Sequence, residues 1–350
     1  MNVKSSDRIL VTQTGGWIGD MILLTPALRA LKRACPQSHL TLLIRPLVAN
    51  LMETCPYVDE VIIDTKGNGV DRARGFLQLV RRVRRGRFNL AVVLHPTSFR
   101  NALIPFLAGI PLRVGSNVGG RGILLSKSCT DDTTVHEVDR YLRVLQLINI
   151  DDPAAGLEFW HTDADRRAVH QLLGGYNVGP EDRIIGINLG TTWGTKSWAL
   201  DRFADVIAEI QLRFEGAIVL TGSSSEVGLG KALQELIKTE VINLIGKTTI
   251  LQLGALIERC NLYLTCDSGP MHIAAAVGTP TIALFGPTNP QRHRPYGEGH
   301  HVIEKDVSCR PCYKRTCMRT DAPSLCMTEI QALDVVERIT SCFDLLDTPS

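Results

Sequence analysis

No uninterrupted apolar run in this 350-residue chain reaches the roughly 18–20 residues that a membrane-spanning helix requires. The opening MNVKSSDRILVTQ has neither the apolar stretch nor the small-residue cleavage site of a secretory signal, so a cytoplasmic location is expected. Aromatic residues are only 5% of the composition. None is interleaved through the basic run Arg81-Arg82-Val83-Arg84-Arg85-Gly86-Arg87, which argues against single-stranded nucleic acid as a partner. An acidic residue is missing where a dinucleotide site would need one. Gly15-Gly16-Trp17-Ile18-Gly19 loosely matches a G-x-G-x-x-G turn, but the second expected strand ends at Ile44-Arg45. That speaks against a nicotinamide-dependent oxidoreductase. Ten cysteines are present, and in a cytosolic chain they favour thiols or metal over disulfides.

Net charge is only +2, yet it is unevenly spread. Residues 1–150 carry 20 Lys/Arg against 11 Asp/Glu, a net +9, whereas residues 151–350 carry 18 against 25, a net −7. Different partners for two different domains are expected. A 44% hydrophobic content over this length can fill two ordinary cores.

What the chain does have is a sharply punctuated stretch, Asn261 to Pro287, NLYLTCDSGPMHIAAAVGTPTIALFGP. The apolar run Leu262–Thr265 reads as a buried strand that stops at Cys266-Asp267-Ser268-Gly269. Pro270 then opens an Ala-rich helix that ends at Gly278, and Thr281–Phe285 follows as a second strand. The strand-to-helix turn of this β-α-β unit presents free N–H groups at a positive dipole end, a natural phosphate site. His272 falls in its first helical turn; a satisfied core histidine and a phosphate ligand both fit that position.

Taken in order, strands are expected at 8–12, 39–44, 61–64, 90–94 and 112–115, alternating with helices near 21–34, 47–53, 76–85, 99–107 and 135–148. The segment 149–159, broken by Pro153 and Gly156, reads as a connection. A second series follows, with strands at 184–188, 217–221, 241–244, 262–265 and 281–285. Alternation of this kind gives parallel sheets covered on both faces, hence α/β architecture with two facing Rossmann-like domains and a deep ligand cleft between them. The expected boundaries are 1–160 for a first domain and 161–327 for a second that carries a cysteine-rich loop over 309–326. Residues 328–350 form a terminal helix placed to pack back toward the first domain.

Several residues at strand ends can carry chemistry. Asp20 follows three glycines in a turn read as flexible, where a carboxylate can serve as general base or cap the next helix. Thr191, Thr192 and Lys196 follow the strand at 184–188 and suit a diphosphate; a solvated loop pinned by Trp193 and Trp198 is the plainer account. Glu226 can accept from ribose hydroxyls or cap a helix. The basic run at 81–87, with Arg72 and Arg74 upstream, is either a solvated helix face or a surface for an anionic acceptor or membrane. Cys309-x-x-Cys312-x4-Cys317-x8-Cys326 can close on a structural zinc or iron or be a reduced loop.

The run from Asp267-Ser-Gly-Pro-Met-His272 to Phe285-Gly-Pro-Thr288 closely resembles the signature of the ADP-heptose:lipopolysaccharide heptosyltransferases. Gly19-Asp20-Met-Ile-Leu-Leu-Thr25-Pro26 resembles that family's N-terminal motif, and Cys309 to Cys326 is similar to the tail of its heptosyltransferase II-like branch. The resemblance implies a GT-B glycosyltransferase with inverting chemistry and no metal needed for transfer. It implies ADP-heptose as donor and a lipid A–Kdo or heptose acceptor, with peripheral contact to the cytoplasmic face of the inner membrane. It places the base on Asp20 behind Gly19, diphosphate contacts on Thr191, Thr192 and Lys196, ribose contact on Glu226, and the phosphate-side turn on Asp267, Ser268, Gly269 and His272. The Trp-Gly-Thr sequence after Thr192 departs from the family's pattern, which leaves the loop's contacts to the sugar open. A heptosyltransferase with a protein or other glycan acceptor, a sugar-nucleotide epimerase of similar fold and a non-catalytic metal-held scaffold are the alternative readings.

Overall fold

In the computed structural model, residues 7–65, 69–151 and 156–347 are described. Pro153, expected in the connection, lies outside them, as do residues 1–6. The chain divides into two units, Met1–Glu158 and Phe159–Ser350. The first holds β1 (Arg8–Thr12), β2 (His39–Ile44), β3 (Glu60–Ile63), β4 (Leu90–Val93), β5 (Leu112–Asn117) and β6 (Lys127–Thr130). These pair in the order β3-β2-β1-β4-β5-β6, every pairing parallel. The second unit holds β7 (Ile184–Asn188), β8 (Ala217–Thr221), β9 (Ile242–Asn243), β10 (Leu262–Cys266), β11 (Thr281–Phe285) and β12 (His300–Glu304). Their order is β12-β11-β10-β7-β8-β9, again parallel throughout. In both sheets the strand order reverses beside the first strand, the place where doubly wound sheets bind ligands beyond their carboxyl ends.

Burial on both faces explains the near-continuous apolar strands. In the second unit Ile185, Ile187, Leu220, Leu262 and Leu264 enter one core, while Ile184, Val219 and Leu244 enter another. The polar β6, KSCT, and β12, HHVIE, were not expected from sequence. Both are edge strands, recruited by pairing with β5 and β11 rather than by an apolar pattern of their own.

The first helix also differs from expectation. It runs Ile18–Leu23 and is followed by a separate helix, Thr25–Ala34, so Asp20 lies inside a helical turn and not in a flexible one. Pro26 has no N–H for the carbonyl of Ile22, which breaks the ladder there. The Thr25 hydroxyl donates to that carbonyl instead, at 2.8 Å.

The division between the units falls two residues before the expected boundary. Glu158 is held in the first unit by Arg29 at 2.5 Å, by the Tyr57 hydroxyl at 2.9 Å and by its own N–H to Thr25 Oγ1 at 3.0 Å. Phe159 packs over Gly254, where a Cβ would come within 2.0 Å of its ring, and His161 pairs with Glu258 at 3.1 Å. In the terminal helix, Ala332–Asp347, Val335, Val336, Ile339 and Cys342 enter the core of the second unit.

Candidate active site

The second unit gathers most of the candidate residues at the carboxyl ends of β11, β10, β7 and β8, four neighbours in its sheet. Asp267 leaves the end of β10, only 6% exposed, and Lys196 Nζ lies 2.7 Å from its Oδ2. The Thr288 hydroxyl, after β11, donates to the same oxygen at 2.5 Å. Burial by itself would raise the Asp267 pKa, but the Lys196 ammonium and the hydrogen bonds from Lys196 and Thr288 hold it below the usual carboxylate value. The Lys196 ammonium also sits 4.6 Å above the Trp193 ring, whose aromatic face is shared by the Arg315 guanidinium at 5.1 Å.

The helix Gly269–Ala276 begins directly after Ser268, which takes an extended N-cap conformation without using its side chain as a cap. The Ser268 hydroxyl pairs sideways instead, 2.9 Å from Thr265 Oγ1. The first N–H groups of this helix are therefore not consumed by the usual cap and suit an anion. His272 is in the helix and 5% exposed.

The loop after β7 folds through local hydroxyl contacts. Thr191 Oγ1 donates to the Trp193 carbonyl at 2.7 Å and lies 3.2 Å from Ser197 Oγ, while Thr192 is exposed. Glu226 caps a short helical turn: its Oε2 accepts from the Ser223 N–H at 2.6 Å and hydroxyl at 2.9 Å. Its other oxygen lies over Gly190, where a Cβ would stand 1.5 Å away. The capping role and the strand-end position thus coexist, because Gly190 lets the side chain close over the end of β7.

In the first unit, Asp20 occupies the third position of its helix, with Trp17 as N-cap. A Cβ on Gly15 would meet Asp20 Oδ2 at 2.2 Å, so the glycine is what admits the carboxylate. Gly19 precedes it in the same turn and is buried. Gln13 links this turn to the buried Tyr141, donating to its hydroxyl at 3.0 Å while accepting from the Gly15 N–H at 3.0 Å. Burial, then the charges of Asp20 and Glu137, push the Tyr141 pKa well above that of an ordinary phenol. Arg121, fully buried, ties the loops after β4 and β5 together through the carbonyls of His95 (2.7 Å) and Ser116 (2.8 Å). Gln13, Tyr141, Arg121 and Gly190 escape a sequence reading, and Thr288 enters it only as the last residue of the signature without a role, since only the folded sheet brings them to these places.

The cysteine loop braces the site. The N–H groups of Cys312 and Tyr313 both donate to the Pro287 carbonyl at 3.0 Å, and Thr195 Oγ1 donates to Lys314 O at 2.7 Å. Cys309 is exposed, Cys326 is buried under Gly286, and Cys317 Sγ accepts from the Ser324 N–H. Among the described residues no three His, Cys, Asp or Glu side chains are gathered where one ion could be held.

A family model described as glycosyltransferase family 9 (heptosyltransferase) matches residues 76–322. Lipopolysaccharide heptosyltransferase 2 of Escherichia coli K12 is 30% identical over 299 residues, covering 82% of this chain and 85% of that protein. Lipooligosaccharide heptosyltransferase 2 of Haemophilus ducreyi is 32% identical over 303 residues, with coverage of 82% and 86%. Among solved structures, a family 9 glycosyl transferase from Veillonella parvula superposes with a TM-score of 0.86 at 28% identity, covering 99% of both chains.

Proposed function

The chain belongs to glycosyltransferase family 9, the heptosyltransferases, and from that premise we propose how its residues transfer a sugar. It is an inverting GT-B glycosyltransferase that moves heptose from ADP-heptose to a hydroxyl of the lipopolysaccharide inner core. The observation that carries the donor site is the Lys196–Asp267–Thr288 cluster beside an uncapped helix start.

Asp20 takes the proton of the acceptor hydroxyl as its oxygen attacks the anomeric carbon. The new C–O bond forms on the face opposite the nucleotide, and the bond to the diphosphate breaks with its electron pair leaving on ADP. Charge grows on the leaving oxygen while the sugar passes through an oxocarbenium-like state. Because Asp267 neutralises Lys196, the pair itself adds little net field; it fixes the ammonium, whose remaining N–H groups face the phosphate. The helix beginning at Gly269 supplies the uncompensated positive end, and the hydroxyls of Thr192 and Ser268 donate further, joined by that of Thr191 once it turns from the Trp193 carbonyl. His272 lines the same turn, and Glu226 receives the ribose hydroxyls. This charge stabilisation requires no metal.

The acceptor is a lipid A–Kdo or heptose-bearing core. The +9 charge of residues 1–150 supports that assignment, and with it peripheral contact at the cytoplasmic face of the inner membrane. Among the described residues no helix is long and apolar enough to cross a membrane. The deciding experiment incubates the protein with ADP-heptose and a truncated lipid A–Kdo acceptor, then weighs the acceptor by mass spectrometry. A gain of one heptosyl unit is expected. An acceptor of unchanged mass, with the free nucleotide sugar converted instead, would make the protein an epimerase.

A further inference from the structure

Four large apolar side chains stand exposed at one edge of the first sheet. Leu47 follows β2 and is 77% exposed; Trp17 follows β1 at 42%; Phe99 follows β4 at 46%; Ile123 follows β5 at 82%. The strands β2-β1-β4-β5 are consecutive neighbours and parallel, so all four residues lie at carboxyl ends, one per strand. At about 4.8 Å between strands, the strip spans roughly 14 Å. The other exposed apolar residues of this unit are of a different kind. Phe106 and Leu107 end the helix Phe99–Leu107, where the Arg113 guanidinium covers the Phe106 ring at 5.4 Å, and Leu77 lies along the helix Gly69–Arg85.

The order along the strip is chemically graded. The two aromatics are central, and Trp17 is the N-cap of the very helix that carries Asp20. An aromatic face is negative and meets the polarised C–H bonds of a sugar ring. The two aliphatics are at the flanks and are the most exposed of the four; with no ring to stack, they match only hydrocarbon. Positive charge accompanies the strip. Arg45 is two residues from Leu47, and Arg72 and Arg74 are exposed near the start of the helix that follows β3, whereas the Arg81–Arg85 end of that helix reaches the opposite end of the sheet, where Arg82 meets Glu60. Contact with an anionic, lipid-bearing molecule accounts for all three features together.

We propose that this strand-end strip seats a lipid-linked, anionic saccharide acceptor, with Trp17 and Phe99 stacked on its sugar rings beside Asp20 and Leu47 and Ile123 resting on its acyl chains. The inference rests on the heptosyltransferase reading and adds to it the residues that recognise the acceptor. It also divides the strip by function: the aromatics read the saccharide and the aliphatics read the lipid.

The test compares one acceptor in two forms, embedded in vesicles of phosphatidylethanolamine and phosphatidylglycerol or stripped of its acyl chains. Leu47→Glu/Ile123→Glu should raise KM for the embedded acceptor at least tenfold while changing KM for the stripped form and Kd for ADP less than twofold. Trp17→Ala and Phe99→Ala should each raise KM at least fivefold for both forms, and Trp17→Phe should restore most of the loss. Leu77→Glu, outside the strip, should match wild type. An embedded-acceptor KM unchanged in the double variant overturns the lipid contact, and an equal rise for both forms overturns the division of roles. Flotation with the same vesicles keeps the inference separate from the reading beneath it. If wild type transfers no heptose to either form, the transferase reading fails, whereas loss of flotation in the double variant alone still supports the strip.

Discussion

Asp20 is held where a base is wanted without being buried out of reach. Gly15 gives it room, and its place in the first turn of the helix Ile18–Leu23 sets it near positive backbone dipoles. Asp20→Asn keeps the shape and removes the proton acceptor. Turnover should fall by about 100-fold or more, with ADP affinity measured by calorimetry within twofold of wild type. A variant with near wild-type turnover would reduce Asp20 to a helix-stabilising residue. Lys196 presents the converse case. Lys196→Met removes the ammonium and leaves the 6%-exposed Asp267 carboxylate without its partner, a loss of about 3–5 kcal/mol for pairs of this kind. Donor binding and stability should weaken together. The pH dependence follows from the lowered Asp267 pKa: the carboxylate stabilises the fold above its unfolded value of about 3.9, and that contribution is lost as pH falls through the native value. In Lys196→Met the native pKa rises, so acid unfolding should begin at higher pH. An acid-unfolding midpoint identical to wild type would show that the pair contributes nothing to the native state.

At the scale of elements, the turn after β11 decides whether Thr288 meets Asp267. Arg310 clamps that turn, donating to Gly286 O at 2.5 Å and Thr288 O at 3.3 Å, with Glu304 holding its outer side at 2.6 Å. Arg310→Ala should weaken ADP binding several-fold and lower Tm by a few degrees; an unaltered Kd would mean that the turn holds its shape unaided. The neighbouring strand β12 carries a different liability. Burial, then the adjacent His301, depresses the His300 pKa to about 4. The native imidazole stays neutral while the unfolded one protonates near 6.5, so stability should decline as pH is lowered from about 6.5 to about 4 and level off below. His300→Gln should flatten that segment of a denaturation-against-pH curve, and a slope equal to wild type would assign the decline to other groups.

For the whole molecule, the source of charge stabilisation is the broadest claim. Protein treated with EDTA and desalted should retain turnover within about twofold, because the helix start at Gly269 supplies the uncompensated positive end and Lys196 supplies N–H donors. Loss of turnover restored by adding back a divalent ion would instead place a metal in the transfer step.

The apolar runs of β1, β2, β4, β7, β8, β10 and β11 already determined, within their own few residues, that two parallel sheets would form, since strands buried on both faces must be apolar throughout. The turn between β10 and its helix was equally local, because Asp267, Ser268, Gly269 and Pro270 are consecutive and punctuate one strand and one helix. The edge strands β6 and β12 were not, as their pairing depends on neighbours and not on a pattern of their own. Nor was the helical start at Ile18, which Gly15, Gly16 and Gly19 disguised as a flexible turn. Only the tertiary structure decided that Lys196 pairs with Asp267, that Glu226 closes over Gly190 and that the cysteine loop braces Pro287. Each of those contacts joins loops from different strands, and which loops meet is set by the order β12-β11-β10-β7-β8. Sequence periodicity reports the face on which a residue lies; it carries no record of which strand will be its neighbour.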